Sequence, residues 1–211
     1  FHPQPGTRAA QESRGLGDVY KRQPLLFIHE FGGDHRDWEP QMQYFAKNYR
    51  CISYSARGYP PSDVPVKLKS YSQEIAVTDA LSVLDALDIK AAHIVGLSMG
   101  GFTALHLGIK YPKRVLSLCV AGCGYGAQKS LEEYFKNVSL EVAKNFEEQG
   151  AKTFSKIYAL GASRVQFQNK NPRGWEQFAQ RLSEHSSLGS AMTMRGVQAC
   201  LLYTSPSPRD S

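Results

Sequence analysis

Gly96-Leu97-Ser98-Met99-Gly100-Gly101 is the stretch on which the reading of this chain turns. Just ahead of it, Ala91-Ala92-His93-Ile94-Val95 is a short apolar run of the kind a buried parallel strand requires. Just behind it, Phe102-Thr103-Ala104-Leu105-His106-Leu107 reads as a helix, ended by Pro112. Strand, G-x-S-x-G, helix is a turn so tight that its serine must hold a strained backbone. A Cβ at Gly96 or Gly100 would collide with the neighbouring strand or helix. The turn lifts the Ser98 hydroxyl clear of the sheet, beside the positive end of the following helix. A turn that merely packs strand against helix is the plainer alternative. The flanking strand and helix favour a nucleophile.

Working outward, Leu25-Leu26-Phe27-Ile28 is a continuous apolar run, as a strand covered on both faces should be. A loop from His29 to Asp37 leads to a helix opening near Pro40, with Met42, Phe45, Ala46 and Tyr49 on one face. Cys51-Ile52-Ser53-Tyr54 is the next strand and runs into the polar loop Ser55 to Asp63. Ser70-x-x-Gln73 resembles a capping box ahead of Val77, Ala80, Leu81, Leu84 and Leu87, which keep a 3.6-residue rhythm. After the Ser98 turn and its helix comes a fourth strand, Val115 to Ala121. Strands alternating with amphipathic helices predict an α/β fold with a parallel, doubly wound sheet.

From Ser130 the pattern changes to helices alone. Ser130-x-x-Glu133 resembles another capping box, and Leu131, Tyr134, Phe135 and Val138 form a stripe. Helical stretches over Val142 to Leu160 and Trp175 to Leu188 are broken at Gly150, Gly161 and Asn171-Pro172. Such a block is too long for a loop and predicts an all-helical lid. Gly122-x-Gly124-x-Gly126 lacks phosphate-loop spacing and reads as its hinge.

The ends differ from this body. Residues 11–23 abut the first strand without helical or strand periodicity, and 201–211 cut off a helical pattern at Cys200. Both resemble translated adapter read-through at the ends of metagenomic gene fragments and are set aside. The expected organisation is a tail over 1–23, the N-terminal part of the core over 24–127, a helical lid over 128–200 and a tail over 201–211.

Composition excludes several classes. The 211 residues are 42% hydrophobic and 21% charged, ordinary for one soluble domain. No apolar run approaches the roughly 20 residues of a membrane span, and no signal-peptide stretch follows Phe1, so a cytoplasmic protein is expected. The net charge of +6 is scattered, with no basic stripe, which argues against nucleic acid as a partner. Cys51, Cys119, Cys123 and Cys200 lack metal spacing, and Cys51 and Cys119 read as buried free thiols in strands. No metal or cofactor is expected.

This order of motifs resembles the α/β-hydrolase superfamily and its lid-bearing serine esterases. Four features carry the likeness across residues 24 to about 200. They are His29-Glu30-Phe31-Gly32-Gly33, Arg57-Gly58 with Ser62-Asp63, the turn around Ser98, and the helical block. The resemblance implies Ser98 as nucleophile, with an oxyanion hole made by the backbone N–H groups of Phe31 and Met99. Glu30 departs from the pattern, which often has glycine there. His29 reads as holding the shape of the loop. His35, Trp38, Tyr134, Phe135 and Trp175 are the candidate pocket residues. A serine at the turn argues against the aspartate-dependent dehalogenases and epoxide hydrolases.

The resemblance also implies an acid and then a histidine after the serine. After Ser98 the only aspartate is Asp210, in the set-aside tail. The later histidines, His106 and His185, sit on the helix after the turn and in the lid block and read as structural. The closing strands of the family are missing from the pattern. The expectation is therefore a truncated hydrolase of small-molecule carboxylic esters or related acyl bonds, itself nearly inactive, with parallel edges uncovered on both sides of its sheet. A non-catalytic ligand-binding module on the same fold is the alternative. Esterases, lactonases, C–C hydrolases and perhydrolases share this scaffold, so substrate and oligomeric state stay open at this point.

Overall fold

The computed structural model describes residues 10–12, 22–123 and 129–200. Five strands form one sheet: β1 (Ala10–Glu12), β2 (Pro24–Ile28), β3 (Arg50–Tyr54), β4 (Ala92–Leu97) and β5 (Val115–Ala121). Their order is β1-β3-β2-β4-β5. β2 to β5 pair in parallel, with Leu26 opposite both Ile52 and Ile94.

The continuous apolar run of β2 follows from the pleat, which sends alternate residues to opposite faces. Leu26 and Ile28 join Ile52, Ile94, Val77, Ala80 and Leu84 in one buried cluster, formed with helices α2 (Gln73–Ala86) and α3 (Met99–Lys110). Leu25 and Phe27 join Met42 and Cys51 in another, beneath helix α1 (Glu39–Phe45). Each fully buried leucine or isoleucine stabilises the fold by roughly 1.5–3 kcal/mol, so both layers are needed. β2 connects leftward to β3 and β4 connects rightward to β5. The sheet therefore has its switch point between β2 and β4, and a crevice opens there at their carboxyl ends.

Residues 129–200 are helical. They comprise α4 (Glu132–Gln149), α5 (Ala151–Ala159), α6 (Val165–Lys170), α7 (Pro172–Glu184) and α8 (Ser187–Thr193), then a π-helical turn over Met194–Gln198. Gly150 separates α4 from α5, and Asn171 caps α7, with Pro172 at its first position. Phe146, Phe154, Phe178 and Leu182 pack on Phe31, Tyr59 and Met99, so the block covers the crevice.

Several expectations change. β1 lies inside the segment set aside as a tail and pairs antiparallel with β3, from Ala10 opposite Tyr54 to Glu12 opposite Ile52. Backbone pairing at an edge needs no side-chain alternation, so periodicity does not reveal it. One edge of the parallel sheet is thus covered. Among the described residues the outer edge of β5 is not, and Leu116, Leu118 and Val120 are exposed there. Cys119 is likewise exposed, whereas Cys51 is buried. Ser70 belongs to a short 3-10 turn; the cap of α2 is Ser72, whose hydroxyl accepts from the Ile75 N–H at 3.1 Å. α4 starts without a side-chain cap, and Ser130 lies in the preceding turn. The helix expected to run to Leu188 breaks at His185 and Ser186. Gly124 and Gly126 of the expected hinge, and residues 1–9, 13–21 and 201–211 of the tails, lie outside the described residues.

Candidate active site

The crevice at the switch point is built from two strand ends. Ser98 follows β4 with φ 52° and ψ −113°, a conformation that non-glycine residues avoid. Its N–H donates to Ala121 O at 2.8 Å, and its carbonyl accepts from Phe102 N at 3.0 Å and from the Cys123 thiol at 3.1 Å. The turn is therefore pinned between the end of β5 and the first turn of α3. The glycines are dictated by contact. A Cβ on Gly96 would lie 2.1 Å from Gly100 O, and one on Gly100 would lie 2.3 Å from Ile28 O and 2.6 Å from His29 O. The second approach also sets the start of α3 directly against the loop that leaves β2.

That loop carries Phe31. The Glu30 carbonyl accepts from His29 Nδ1 at 2.7 Å and from Gly33 N at 3.1 Å. In a planar trans peptide the C=O and the next N–H point to opposite sides, so fixing the Glu30 carbonyl also aims the Phe31 N–H. The tautomer of His29 follows from its partners. Nε2 accepts from the Ala56 N–H at 2.9 Å, which leaves the proton on Nδ1. Burial pushes the His29 pKa down and keeps the ring neutral, as this arrangement needs. Neither the Phe31 nor the Met99 N–H has a hydrogen-bond partner among the described residues. Met99 follows Ser98 directly, and the loop carrying Phe31 lies against the start of α3; free N–H groups are what an oxyanion site is built from.

A polar framework surrounds this pair. Asp34 is buried and caps the turn His35–Trp38, accepting from Arg36 N at 2.8 Å, while its own N–H donates to Asp37 Oδ2 at 3.1 Å. Burial alone would raise the Asp34 pKa. Hydrogen bonds from His185 and Arg36 outweigh it and hold the carboxyl well below the usual range. His185 Nε2 lies 3.2 Å from Asp34 Oδ2, and its ring stands edge-on to Tyr59 at 5.1 Å.

A cleft of about 770 Å³ opens between this loop and the helical block, lined by Trp38, Leu97, Arg164, Phe167, Phe178 and Arg181 among others. Its walls include the residues immediately before Ser98 and Phe31. A smaller void between Tyr54, Arg57 and Asp79 holds about 30 Å³, room for about one water rather than a substrate.

The candidate pocket residues fall in different places. Trp38 lines the cleft and packs on Phe27 at 5.0 Å. His35 faces away from it, with Nδ1 2.9 Å from Ser55 Oγ. Trp175 sits in the lid core, donating to Ala159 O at 2.8 Å, because its indole N–H needs a partner once covered. Tyr134 is 57% exposed on α4 and Phe135 is half-buried; neither lines the cleft. The buried face of α4 is Ser139, Ala143 and Phe146, two turns further along. Sequence reasoning missed Arg164, Phe167, Phe178 and Arg181; the amphipathic pattern of α7 could have signalled Phe178 and Arg181, whereas Arg164 and Phe167, in the short turn before α6 and on α6, carry no such signal.

None of the described histidines is seen to hydrogen-bond the Ser98 hydroxyl, and His185 keeps a buried, unpartnered Nδ1. His29, His35 and His185 are bonded as above, and His93 spans Ser117 Oγ at 2.7 Å and Gln23 Oε1 at 3.0 Å. His106 is buried eight residues along α3, about 12 Å from Ser98 at 1.5 Å per residue. No group of three or more His, Cys, Asp or Glu side chains among the described residues could hold a metal ion. No described helix is long and apolar enough to cross a membrane.

A family model described as the alpha/beta hydrolase fold matches residues 23–205. The 3-oxoadipate enol-lactonase 1 of Acinetobacter baylyi (strain ATCC 33305 / BD413 / ADP1) is 40% identical over 97 residues, covering 46% of this chain and 35% of that protein. Human epoxide hydrolase 4 is 30% identical over 96 residues, covering 46% and 26%. The match thus spans no more than 35% of the length of these relatives. The crystal structure of the enol-lactonase from Burkholderia xenovorans LB400 superposes with a TM-score of 0.75 at 20% identity, over 92% of this chain and 71% of that one. At that identity the superposition speaks for the fold alone.

Proposed function

Since the chain belongs to the α/β-hydrolase fold family, we propose that it acts by acyl transfer through Ser98 on carboxylic esters, lactones or related acyl bonds of small molecules. The observation that carries this reading is Ser98 itself: φ 52° at a strand-to-helix turn, with the Phe31 loop set against the start of the following helix and the Phe31 and Met99 N–H groups free among the described residues. The Ser98 oxygen attacks the carbonyl carbon and its proton passes to a general base. The oxyanion is held by the Phe31 and Met99 N–H groups. The leaving group departs with a proton, and water then cleaves the acyl-enzyme.

The base and its orienting acid come from outside the described residues, since no described histidine is bonded to the Ser98 hydroxyl, His185 turning Nε2 to Asp34 instead. Without them the hydroxyl stays protonated and is a weak nucleophile. The helical block acts as the lid, and the cleft beside Trp38, Phe167 and Phe178 receives the apolar part of the substrate. The name of the Acinetobacter relative supports the lactone, a cyclic ester, as one member of this substrate class. Serine rather than a carboxylate at the turn favours acyl over epoxide chemistry.

The test is labelling with a fluorophosphonate and hydrolysis of p-nitrophenyl esters by the complete polypeptide and its Ser98→Ala variant. Loss of both signals in the variant supports the reading. Undiminished hydrolysis without Ser98 sinks it, and absence of both in the parent protein points instead to a non-catalytic binding module.

A further inference from the structure

Glu30 stands immediately before the oxyanion residue, and its carboxylate is fully engaged by the lid. Arg164, at the end of the turn that leads into α6, donates from both terminal nitrogens to the two carboxylate oxygens, each at 3.0 Å. The pair is shielded, with the side chains only 13% and 22% exposed. The guanidinium is itself held in place, its carbon 4.3 Å from the Phe178 ring centre on α7 and 5.8 Å from that of Tyr158 on α5. Such a planar, stacked fork fixes a carboxylate in orientation as well as distance.

The carbonyl of the same residue is the one that aims the Phe31 N–H. Glu30 is therefore gripped at both ends: its side chain by Arg164 and its C=O by His29 and Gly33. The next residues also lean on the lid. The Phe31 ring packs against Phe146 and Tyr158 at 5.9 and 5.5 Å. Those contacts are apolar and tolerate sliding, whereas the Arg164 fork does not.

Resting on the roles given to Ser98 and Phe31, we propose that Arg164 is a positioning residue: through Glu30 it makes the aim of the Phe31 N–H depend on the seating of the lid. A lid lifted from the loop withdraws Arg164 and leaves the aim of the Glu30–Phe31 peptide to the His29 and Gly33 bonds alone. The oxyanion hole is complete only when the lid is down. This explains why a charged residue is tolerated where the family pattern often has glycine.

The Gly33 amide, which donates to Glu30 O, reports on the peptide without any need for activity. Its hydrogen exchange is measured in this chain and in its Glu30→Gln, Arg164→Lys and Arg164→Gln variants. Glu30→Gln keeps the shape of the side chain and guards against a variant that merely misfolds. Loss of one partner of a shielded pair is expected to speed Gly33 exchange by about tenfold or more, with β2 and α7 unchanged and Arg164→Lys intermediate. In the complete polypeptide, the same variants are expected to lose roughly ten- to a hundredfold in kcat with KM within about twofold, short of deleting a hole donor outright. Unchanged Gly33 exchange in both Glu30→Gln and Arg164→Gln overturns the proposal, as does faster exchange spread evenly through α7 or a loss that falls on KM. If Gly33 responds as described but the parent polypeptide cleaves no ester, the grip of Arg164 stands and the hydrolase reading fails.

Discussion

Replacing Ser98 by glycine should make the protein more stable than replacing it by alanine, although both changes remove the proposed nucleophile. Ser98 holds φ 52° and ψ −113°. Keeping a residue with a Cβ there costs of order 1–3 kcal/mol. Alanine retains that Cβ and therefore the strain. Glycine releases it but loses more chain entropy on folding, about 0.5–1 kcal/mol. The difference favours glycine by roughly 0–2.5 kcal/mol. All the bonds that pin the turn run through the backbone of Ser98, so deleting the hydroxyl is common to both variants and cancels. At about 2–4 °C per kcal/mol for a chain of this size, Ser98→Gly should melt up to roughly 10 °C above Ser98→Ala. Scanning calorimetry of the two variants beside the parent is the assay. A Ser98→Gly protein that melts below Ser98→Ala would show that the turn stores no strain and would refute the reasoning.

Gly100→Ala places a Cβ 2.3 Å from Ile28 O, where only backbone can give way. It should cost about 3 kcal/mol or more, measured by urea unfolding, and an unchanged midpoint would deny the close approach. Arg57→Ala strands Asp79, whose carboxylate accepts from Arg57 at 2.7 and 2.9 Å; a loss of about 3–5 kcal/mol is expected by the same measurement. Two pH effects have opposite origins and the same direction. The lowered pKa of Asp34 means that its contribution is present above the ordinary carboxylate range and lost as pH falls below about 3.8. His29, buried neutral with a lowered pKa, makes the unfolded chain the better proton acceptor, so stability should fall as pH drops below about 6.5. Melting curves between pH 7 and 5 check the second effect, since His29→Asn should flatten them; an unaltered slope would place the titration elsewhere.

The turn around Ser98 and its neighbours were legible because their constraints are local. Gly96 and Gly100 are needed within five residues of one another, and the apolar run before Ser98 marks a strand, although in the structure β4 alternates between buried and half-buried residues. α4 shows where such reading stops. A stripe at Leu131, Tyr134 and Phe135 says that one face is apolar, but how far along the helix its partners reach is set by Phe31 and Phe154, not by α4. Ser70 and Ser72 differ by one short turn, and only the path of the chain through Leu68–Ser70 decides which of them caps α2. The grip on Glu30 was illegible for a different reason. Its partner lies 134 residues away, and no periodicity signals an ion pair across such a distance.

That separation has a consequence for how such a protein can be inherited in pieces. The loop from Glu30 to Asp37 meets Arg164, Arg181 and His185 in matched pairs: Glu30 with Arg164, Asp37 with Arg181, and Asp34 with His185. Recombination with a relative at a crossover between residues 40 and 160 takes the two halves of each pair from different parents. Where the parents do not share the pairs, the hybrid leaves a shielded Glu30 or Arg164 without its partner even if every helix still fits its neighbour. The helical block of this chain is therefore best exchanged together with the eight residues it closes upon.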